Sequence, residues 1–381
     1  MRMPDGFAPR VDAEFPVLDA RWGALDSFDF SVNEKVDEEF PPLELSRRAK
    51  GIVSTDHLPK FEHINAESIE EAVSLLKTYE GRAALIAGGQ DLLRELKGRA
   101  RFAQPQVLVN IKSVKPKLDY IQERATGLTI GSLATLHHIE DSPLVNLRYN
   151  VLAQAAHATR ALQYRSSATI GGDLCQQVRC WYYRSSRNAF YCLRKGGKEC
   201  YAVEGDNRYH GIFGSRVCPA TCPSDTAPAL VALGAKVKIA GALAERTVPV
   251  GEFFTPLGNI LRPDEVLTEV QIPFLEPGCR SVFMKFGLGN IFGPPIVSVA
   301  VVAKLEGKLC SRARVVLGAV SSLPWRAVRA EQVLVGDRID EGSAESVAQA
   351  AVEDASPLSM NAYKVDIVRA LVKRAILGIP I

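Results

Sequence analysis

With 381 residues, 47% of them hydrophobic and 23% charged, the chain has room for two or three domains and a composition that excludes long disorder. A net charge of +3 gives no field of the strength that nucleic acid or an anionic lipid surface needs. No apolar run of about 18 residues occurs and the first fifteen residues lack the apolar core of a leader, so the expectation is a cytoplasmic chain with no membrane span.

Residues 1–57 are acid-rich and interrupted by proline, without helical or alternating pattern, and are expected to form an N-terminal extension. It is expected to lie over its own domain or a partner, or to act as a docking arm anchored by Trp22, Phe28 and Phe30. From Leu58 the pattern changes. "INAESIEEAVSLLKTY" spaces Ile69, Ala72, Val73, Leu75 and Leu76 as one helical face behind a capping Ser68 or Asn65. "AALIAGG" and "PQVLVNI" read as short buried strands, and together they predict a small α/β subdomain over 58–115.

A second subdomain is expected over 116–279. Strand-like "LDYIQE" and "LTIGS" precede a helix over "NVLAQAAHATRAL", and after an interruption "DTAPALVALGAKVKIA", "RTVPVGEFF" and "DEVLTEVQIPF" continue as helix and strands. Over 280–381, "SVFMKFG", "PIVSVAVVAKL" and "RARVVLGAV" predict three antiparallel strands, followed by helix from Ser343. The overall class is α+β.

Two glycine pairs follow apolar runs, Gly88–Gly89 in "IAGGQDLL" and Gly171–Gly172 in "SATIGGDLC". A backbone without Cβ lets N–H groups approach phosphate oxygens, so a pyrophosphate bridging both loops fits, although each pair alone is commonly a tight turn. "GLGNIFG" at 287–293 is no dinucleotide fingerprint, because its last glycine falls one residue late and no helix follows.

Six of the eight cysteines (175, 180, 192, 200, 218 and 222) fall in one segment. Clustered thiols in a large chain of this kind point to metal or redox chemistry more than to a disulfide scaffold. Cys180, Cys192, Cys200 and Cys218 are separated by eleven, seven and seventeen residues, wider than the close pairs of structural zinc. Spacing alone leaves zinc and a bulkier cluster both open. Arg179, Arg184, Arg187, Arg194, Lys195 and Lys198 would favour thiolates there, or form a solvated basic loop. Cys175 and Cys222 are expected to be ordinary buried thiols, His137 and His138 polar packing groups, and His210 is left open.

"LPKFEHINAESIEEAVSLLKTYEGRAALIAGGQDLL", "SATIGGDLCQ" and "CPSDTAPALVALGA" together resemble the FAD-binding subunit of the xanthine dehydrogenase family of molybdenum hydroxylases, over about residues 58–381. The resemblance implies a two-part FAD-binding domain of the vanillyl-alcohol-oxidase/CO-dehydrogenase flavoprotein type plus a C-terminal domain of antiparallel sheet and helices. It implies FAD held by Ala87, Gly88, Gly89, Gln90, Asp91 and Leu92 on one loop and by Thr169, Ile170, Gly171, Gly172 and Asp173 on the other, with Asp225 and Lys285 beside the flavin. The family often has Thr or Ser at the position of Gln90 and Asn at that of Asp173. It usually carries an arginine after the lysine, where Gly289, Asn290 and two prolines stand here.

Most such subunits lack the segment at about 175–222. "RCWYYR" with the cysteines behind it and "EGDNRYHGIFG" resemble the insert of 4-hydroxybenzoyl-CoA reductase flavoprotein subunits and some bacterial aldehyde oxidoreductases, which implies a [4Fe-4S] cluster on Cys180, Cys192, Cys200 and Cys218. The implied function is an electron relay. It would connect a molybdopterin-binding large subunit and a small [2Fe-2S] subunit to an external carrier such as ferredoxin, with no residue here acting on the organic substrate. The rivals are a self-contained flavin oxidase whose insert is structural and a zinc-stabilised interaction module.

Overall fold

The structure, a computed structural model, describes residues 58–98, 100, 104–159, 161–185, 189–214, 217–288 and 293–380. The N-terminal extension with Trp22, Phe28 and Phe30 lies outside the described residues, as do Arg187, Gly289 and Asn290.

Strand β1 (Glu62–Asn65) leads into helix α1 (Ile69–Tyr79), which buries Ala72, Val73 and Leu76 and is capped by Ser68 accepting from the Glu71 N–H. Strand β2 (Ala83–Ile86), helix α2 (Leu92–Gly98) and strand β3 (Val107–Asn110) complete a parallel sheet of order β1-β3-β2. β1 escapes the sequence reading because "EHIN" is an edge strand, largely exposed, with no apolar alternation.

A five-stranded antiparallel sheet of order β4-β5-β10-β6-β7 follows. Its strands are β4 (Ile121–Arg124), β5 (Gly127–Gly131), β6 (Lys236–Ala240), β7 (Glu245–Pro249) and β10 (Val266–Pro273), with the small hairpin β8 (Phe254–Thr255) and β9 (Gly258–Asn259) between. Helices α3 (Leu136–Asp141), α4 (Pro143–Arg148) and α5 (Asn150–Ala158) cover it. The helix expected over "NVLAQAAHATRAL" is two pieces. It stops at Ala158, where the extended Thr159 donates its Oγ1 hydroxyl to the Ala155 carbonyl at 2.9 Å, and resumes as the single turn α6 (Leu162–Arg165).

After the short helix α7 (Ile170–Cys175) the cysteine-rich segment contains only the turn α8 (Trp181–Arg184) and a 3₁₀ turn over Leu193–Lys195 as described helices. Helix α9 (Thr226–Leu233) is buried nearly all round, which explains why "TAPALVAL" carries no charged face. A turn α10 (Val250–Phe253) precedes the hairpin.

The last sheet is antiparallel, β11 (Cys279–Gly287), β12 (Pro295–Glu306), β13 (Leu309–Gly318) and the two-residue β14 (Trp325–Arg326). Helices α11 (Val328–Leu334), α12 (Glu341–Ala350) and α13 (Tyr363–Leu377) pack on one face. Along β12, Val297, Val299, Val301 and Ala303 enter the core beneath these helices, while Ala300 and Val302 enter the core shared with α5 and α9. Both faces are covered, so the strand reads as an unbroken apolar run. Among the described residues no helix is long and apolar enough to cross a membrane.

Candidate functional site

The first glycine pair sits where β2 turns into α2. Gly89 has φ +68°, a left-handed conformation that glycine adopts without strain, and its carbonyl accepts the Leu93 N–H at 3.0 Å. Gly88 is required by contact: a Cβ there would stand 1.9 Å from the Ser167 carbonyl oxygen, just ahead of the second glycine loop. Gln90 ties the loops together, its Nε2 donating to Ser167 Oγ at 2.5 Å. Among the described residues the backbone N–H groups of Gly88, Gly89 and Gln90 have no protein acceptor, so three successive donors are left for a ligand.

The second loop is built differently. Thr169 caps α7 by accepting the Gly172 N–H, the Gly171 N–H goes to the Ser132 carbonyl at 2.9 Å, and the Ile170 and Asp173 N–H groups go to the Ala134 and Thr169 carbonyls. Its amides are therefore engaged within the protein. What this side offers the cleft is the Ser132 hydroxyl, buried without a hydrogen-bonding partner, and the Thr169 edge. Gly171 lets α7 rest on Ser132, since a Cβ would meet that residue at 2.9 Å.

These loops line one cleft of about 590 Å³, a volume suited to a large organic cofactor. Ala87, Gly88, Gly89, Gln90, Asp91, Leu92, Thr169, Gly171, Gly172 and Asp173 all line it. Ile170 does not; its side chain is wholly buried in the core. Asp173 has both carboxylate oxygens occupied, Oδ2 by the Ser224 and Thr226 hydroxyls and Oδ1 by Gln176, and full burial pushes its carboxyl pKa upward despite those bonds.

Asp225 and Lys285 do not line this cleft. They form a buried ion pair, Lys285 Nζ to Asp225 Oδ2 at 2.7 Å, with a second Lys285 bond to the Ala158 carbonyl at 2.7 Å. Asp225 faces an adjoining pocket that shares Tyr164, Asp173 and Gln176 with the main cleft and reaches Gly293 and Pro294. Leu261, Arg262 and Pro263 also line the cleft and were missed from sequence because they lie in a loop without motif.

Cys180, Cys192, Cys200 and Cys218 converge on a second, enclosed pocket. Each comes from a different stretch: Cys180 precedes α8, Cys192 precedes the 3₁₀ turn, and Cys200 and Cys218 stand in irregular chain. Arg194 Nε donates to Cys218 Sγ at 3.4 Å and His210 Nε2 lies 3.3 Å from Cys180 Sγ. Burial first, then the neighbouring Cys218 and Cys192, pushes the Cys180 thiol up to about 12, and burial holds His210 down to about 4. Among the described residues no three of these sulfurs lie within 4.8 Å of one another. Tyr182, Phe190 and Tyr201 form an edge-on and stacked aromatic wall behind them.

Cys175 and Cys222 stand outside the sulfur pocket, and burial pushes both thiols up to about 12. Cys175 instead lines the main cleft. His137 lies against Glu140 and Asp141 at the surface, and His138 donates its backbone N–H to the Thr135 cap.

The two cavities share walls. Tyr183 and Arg194 line both, and the carboxylate of Asp91 reaches from the first glycine loop to Arg179 and Arg184 of the cysteine-rich segment, at 2.9 and 2.7 Å. The main cleft thus has free backbone donors in its lining and shares Tyr183 and Arg194 with a thiol-lined pocket.

Residues 59–275 match the model of the FAD binding domain in molybdopterin dehydrogenase, and residues 294–379 that of the CO dehydrogenase flavoprotein C-terminal domain. The aldehyde oxidoreductase FAD-binding subunit of Escherichia coli is 31% identical over 314 residues, covering 80% of this chain and 92% of that protein. The carbon monoxide dehydrogenase medium chain of Hydrogenophaga pseudoflava is 29% identical over 327 residues, covering 84% and 96%. A solved structure of carbon monoxide dehydrogenase from the same organism superposes with a TM-score of 0.68 at 27% identity, covering 84% of this chain and 97% of that one.

Proposed function

Because the chain belongs to the family of FAD-binding medium subunits of the CO dehydrogenase/xanthine dehydrogenase type, we propose that it relays electrons between an FAD in the main cleft and a [4Fe-4S] cluster in the cysteine pocket. In this reading it is the flavoprotein component of a multi-subunit molybdenum hydroxylase-type oxidoreductase, working with a molybdopterin-binding large subunit and a small [2Fe-2S] subunit. The external carrier is ferredoxin or a similar one-electron partner. FAD supplies exchange of electron pairs and the cluster exchange of single electrons.

The fit to FAD rests on the unspent N–H groups of Gly88, Gly89 and Gln90 and on the orphaned Ser132 hydroxyl, which together supply donors for phosphate oxygens. Thr169, Gly171 and Gly172 line the same cleft. Asp173 keeps that wall rigid through its bonds to Ser224 and Thr226. Asp225, held by Lys285, lines the adjoining pocket.

The convergence of four thiols on one pocket carries the cluster assignment. With zinc–sulfur bonds of about 2.3 Å, a tetrahedral site would hold its sulfurs roughly 3.8 Å apart, whereas here no three lie within 4.8 Å, among the described residues. The thiols are thus not gathered as tightly as four sulfurs on one zinc. Arg194 and His210 are placed to stabilise sulfur by hydrogen bonding, and the aromatic wall excludes water, both of which tune a cluster's potential.

Purification without oxygen, followed by iron, zinc and flavin analysis and low-temperature EPR of the reduced protein, tests this. About four irons and one FAD per chain are expected. Zinc in place of iron would replace the relay by a flavin oxidase with a structural insert, and metal-free, flavin-free folded protein would reject both. Cys192→Ser should abolish the cluster signal and leave FAD bound.

A further inference from the structure

The main cleft contains three cationic side chains among the described residues, Arg194, Lys195 and Arg262. Arg194 is spent on Cys218 Sγ and the Pro256 carbonyl, and Arg262 on Glu265 at 2.9 Å. Lys195 is different. Its side chain is buried, with the residue 8% exposed, and its Nζ has no hydrogen-bonding partner. It overlies the Tyr183 ring at 5.5 Å.

The acids of the cleft do not supply that partner. Asp91 is bound by Arg179 and Arg184, Glu95 accepts the Tyr183 hydroxyl, Asp173 is held by Ser224 and Thr226, and Glu265 is held by Arg246 and Arg262. A buried ammonium without a hydrogen-bonded counter-group is costly. The cleft therefore offers Lys195 Nζ no hydrogen-bonded counter-group, and Glu95, Cys192 and Cys180 act on it only through space.

We propose that Lys195, carried on the cysteine-rich segment, is the counter-charge for the diphosphate of FAD. This inference rests on the flavin reading above. Oxidised FAD carries its formal charge on the diphosphate, and the same cleft presents the free amides of Gly88, Gly89 and Gln90, which lack any charge of their own. Lys195 stands three residues beyond Cys192, so the segment that holds sulfur also completes the dinucleotide site. Flavin retention then depends on an ordered insert.

The test uses the full chain, stripped of flavin and titrated with FAD and with ADP-ribose, which keeps the diphosphate but lacks the isoalloxazine. Lys195→Met should weaken binding of both about tenfold or more, the worth of a hydrogen bond to a charged group, with iron content unchanged. Lys195→Arg should restore most of the loss, and Lys195→Gln gives the same readings as the methionine variant should that one fail to fold. Unchanged FAD affinity overturns the proposal. A loss confined to FAD would assign Lys195 to the isoalloxazine instead, and a loss of iron with FAD affinity kept would make sulfur its partner; either overturns the diphosphate assignment. A wild-type chain that takes up no FAD overturns it together with the reading it rests on.

Discussion

Asp91 and Arg184 are joined by an ion pair of 2.7 Å that crosses from the first glycine loop to the cysteine-rich segment, 93 residues further along the chain. Asp91 also accepts Arg179 at 2.9 Å and the Gln177 N–H at 2.7 Å, so one carboxylate fixes the start of the insert against the dinucleotide cleft. The resemblance implied that this residue serves the cofactor. Its geometry makes it a tie between the two candidate redox sites.

Asp91→Asn should therefore loosen both sites together. Two partly buried ion pairs are lost while two arginines remain without their acid, which places the cost at about 2–3 kcal/mol, between exposed and fully buried pairs. Calorimetric melting should fall accordingly, and iron and flavin content should drop in parallel. Loss of one cofactor alone would show that the tie does not couple them.

Gly88→Ala tests the contact between the loops. Its Cβ would sit 1.9 Å from the Ser167 carbonyl oxygen, an overlap that side-chain rotation cannot relieve because both partners are backbone. The loops must part, and FAD affinity measured by flavin fluorescence should fall more than about tenfold. Retention of wild-type affinity would mean that the cleft tolerates separation of its walls.

Lys285→Met leaves the Asp225 carboxylate buried beside the cleft. Breaking a buried pair on one side costs about 3–5 kcal/mol, whereas removing both charges costs less. Urea unfolding should show a large loss for Lys285→Met and recovery of part of it in the double variant with Asp225→Asn. Equal losses in the two would argue that the charge itself contributes little.

Lys364 provides a pH signature. It is wholly buried on α13, donates to the Tyr209 and Ala319 carbonyls, and burial pushes its pKa down to about 7. The unfolded chain holds this proton up to about pH 10.4, so between about pH 7 and 10.4 it binds more protons than the folded one, and stability rises with pH across that window. Below about 7 both states are protonated and the penalty is constant. The contribution is isolated by comparison: between pH 7 and 9 the stability of wild type relative to Lys364→Met, read from urea unfolding, should rise by about 2 kcal/mol, because the buried thiols act alike in both.

Much of the fold is legible because it is written in local period. The face of α1, the apolar runs of β2, β3 and β12, and the glycine pairs each declare themselves within a dozen residues, and those features carry the family resemblance. β1 is not legible, since an exposed edge strand needs only a neighbour to pair with and no apolar pattern of its own. The break after Ala158 is likewise hidden, because a threonine hydroxyl competing for a backbone carbonyl leaves no trace in apolar spacing.

Within the site, the chain order by itself determined which residue types were available: flexible backbone at Gly88–Gly89 and Gly171–Gly172, and four thiols at 180, 192, 200 and 218. Tertiary structure alone decided their division of labour. The amides of the second loop turned inward to carbonyls and to the Thr169 hydroxyl while those of the first stayed free, Asp91 turned to Arg179 and Arg184, and Lys195 was left buried in the cleft without a hydrogen-bonding partner. The physical reason is that hydrogen bonding and charge pairing depend on distances set by segments dozens of residues apart, a quantity that local sequence does not encode.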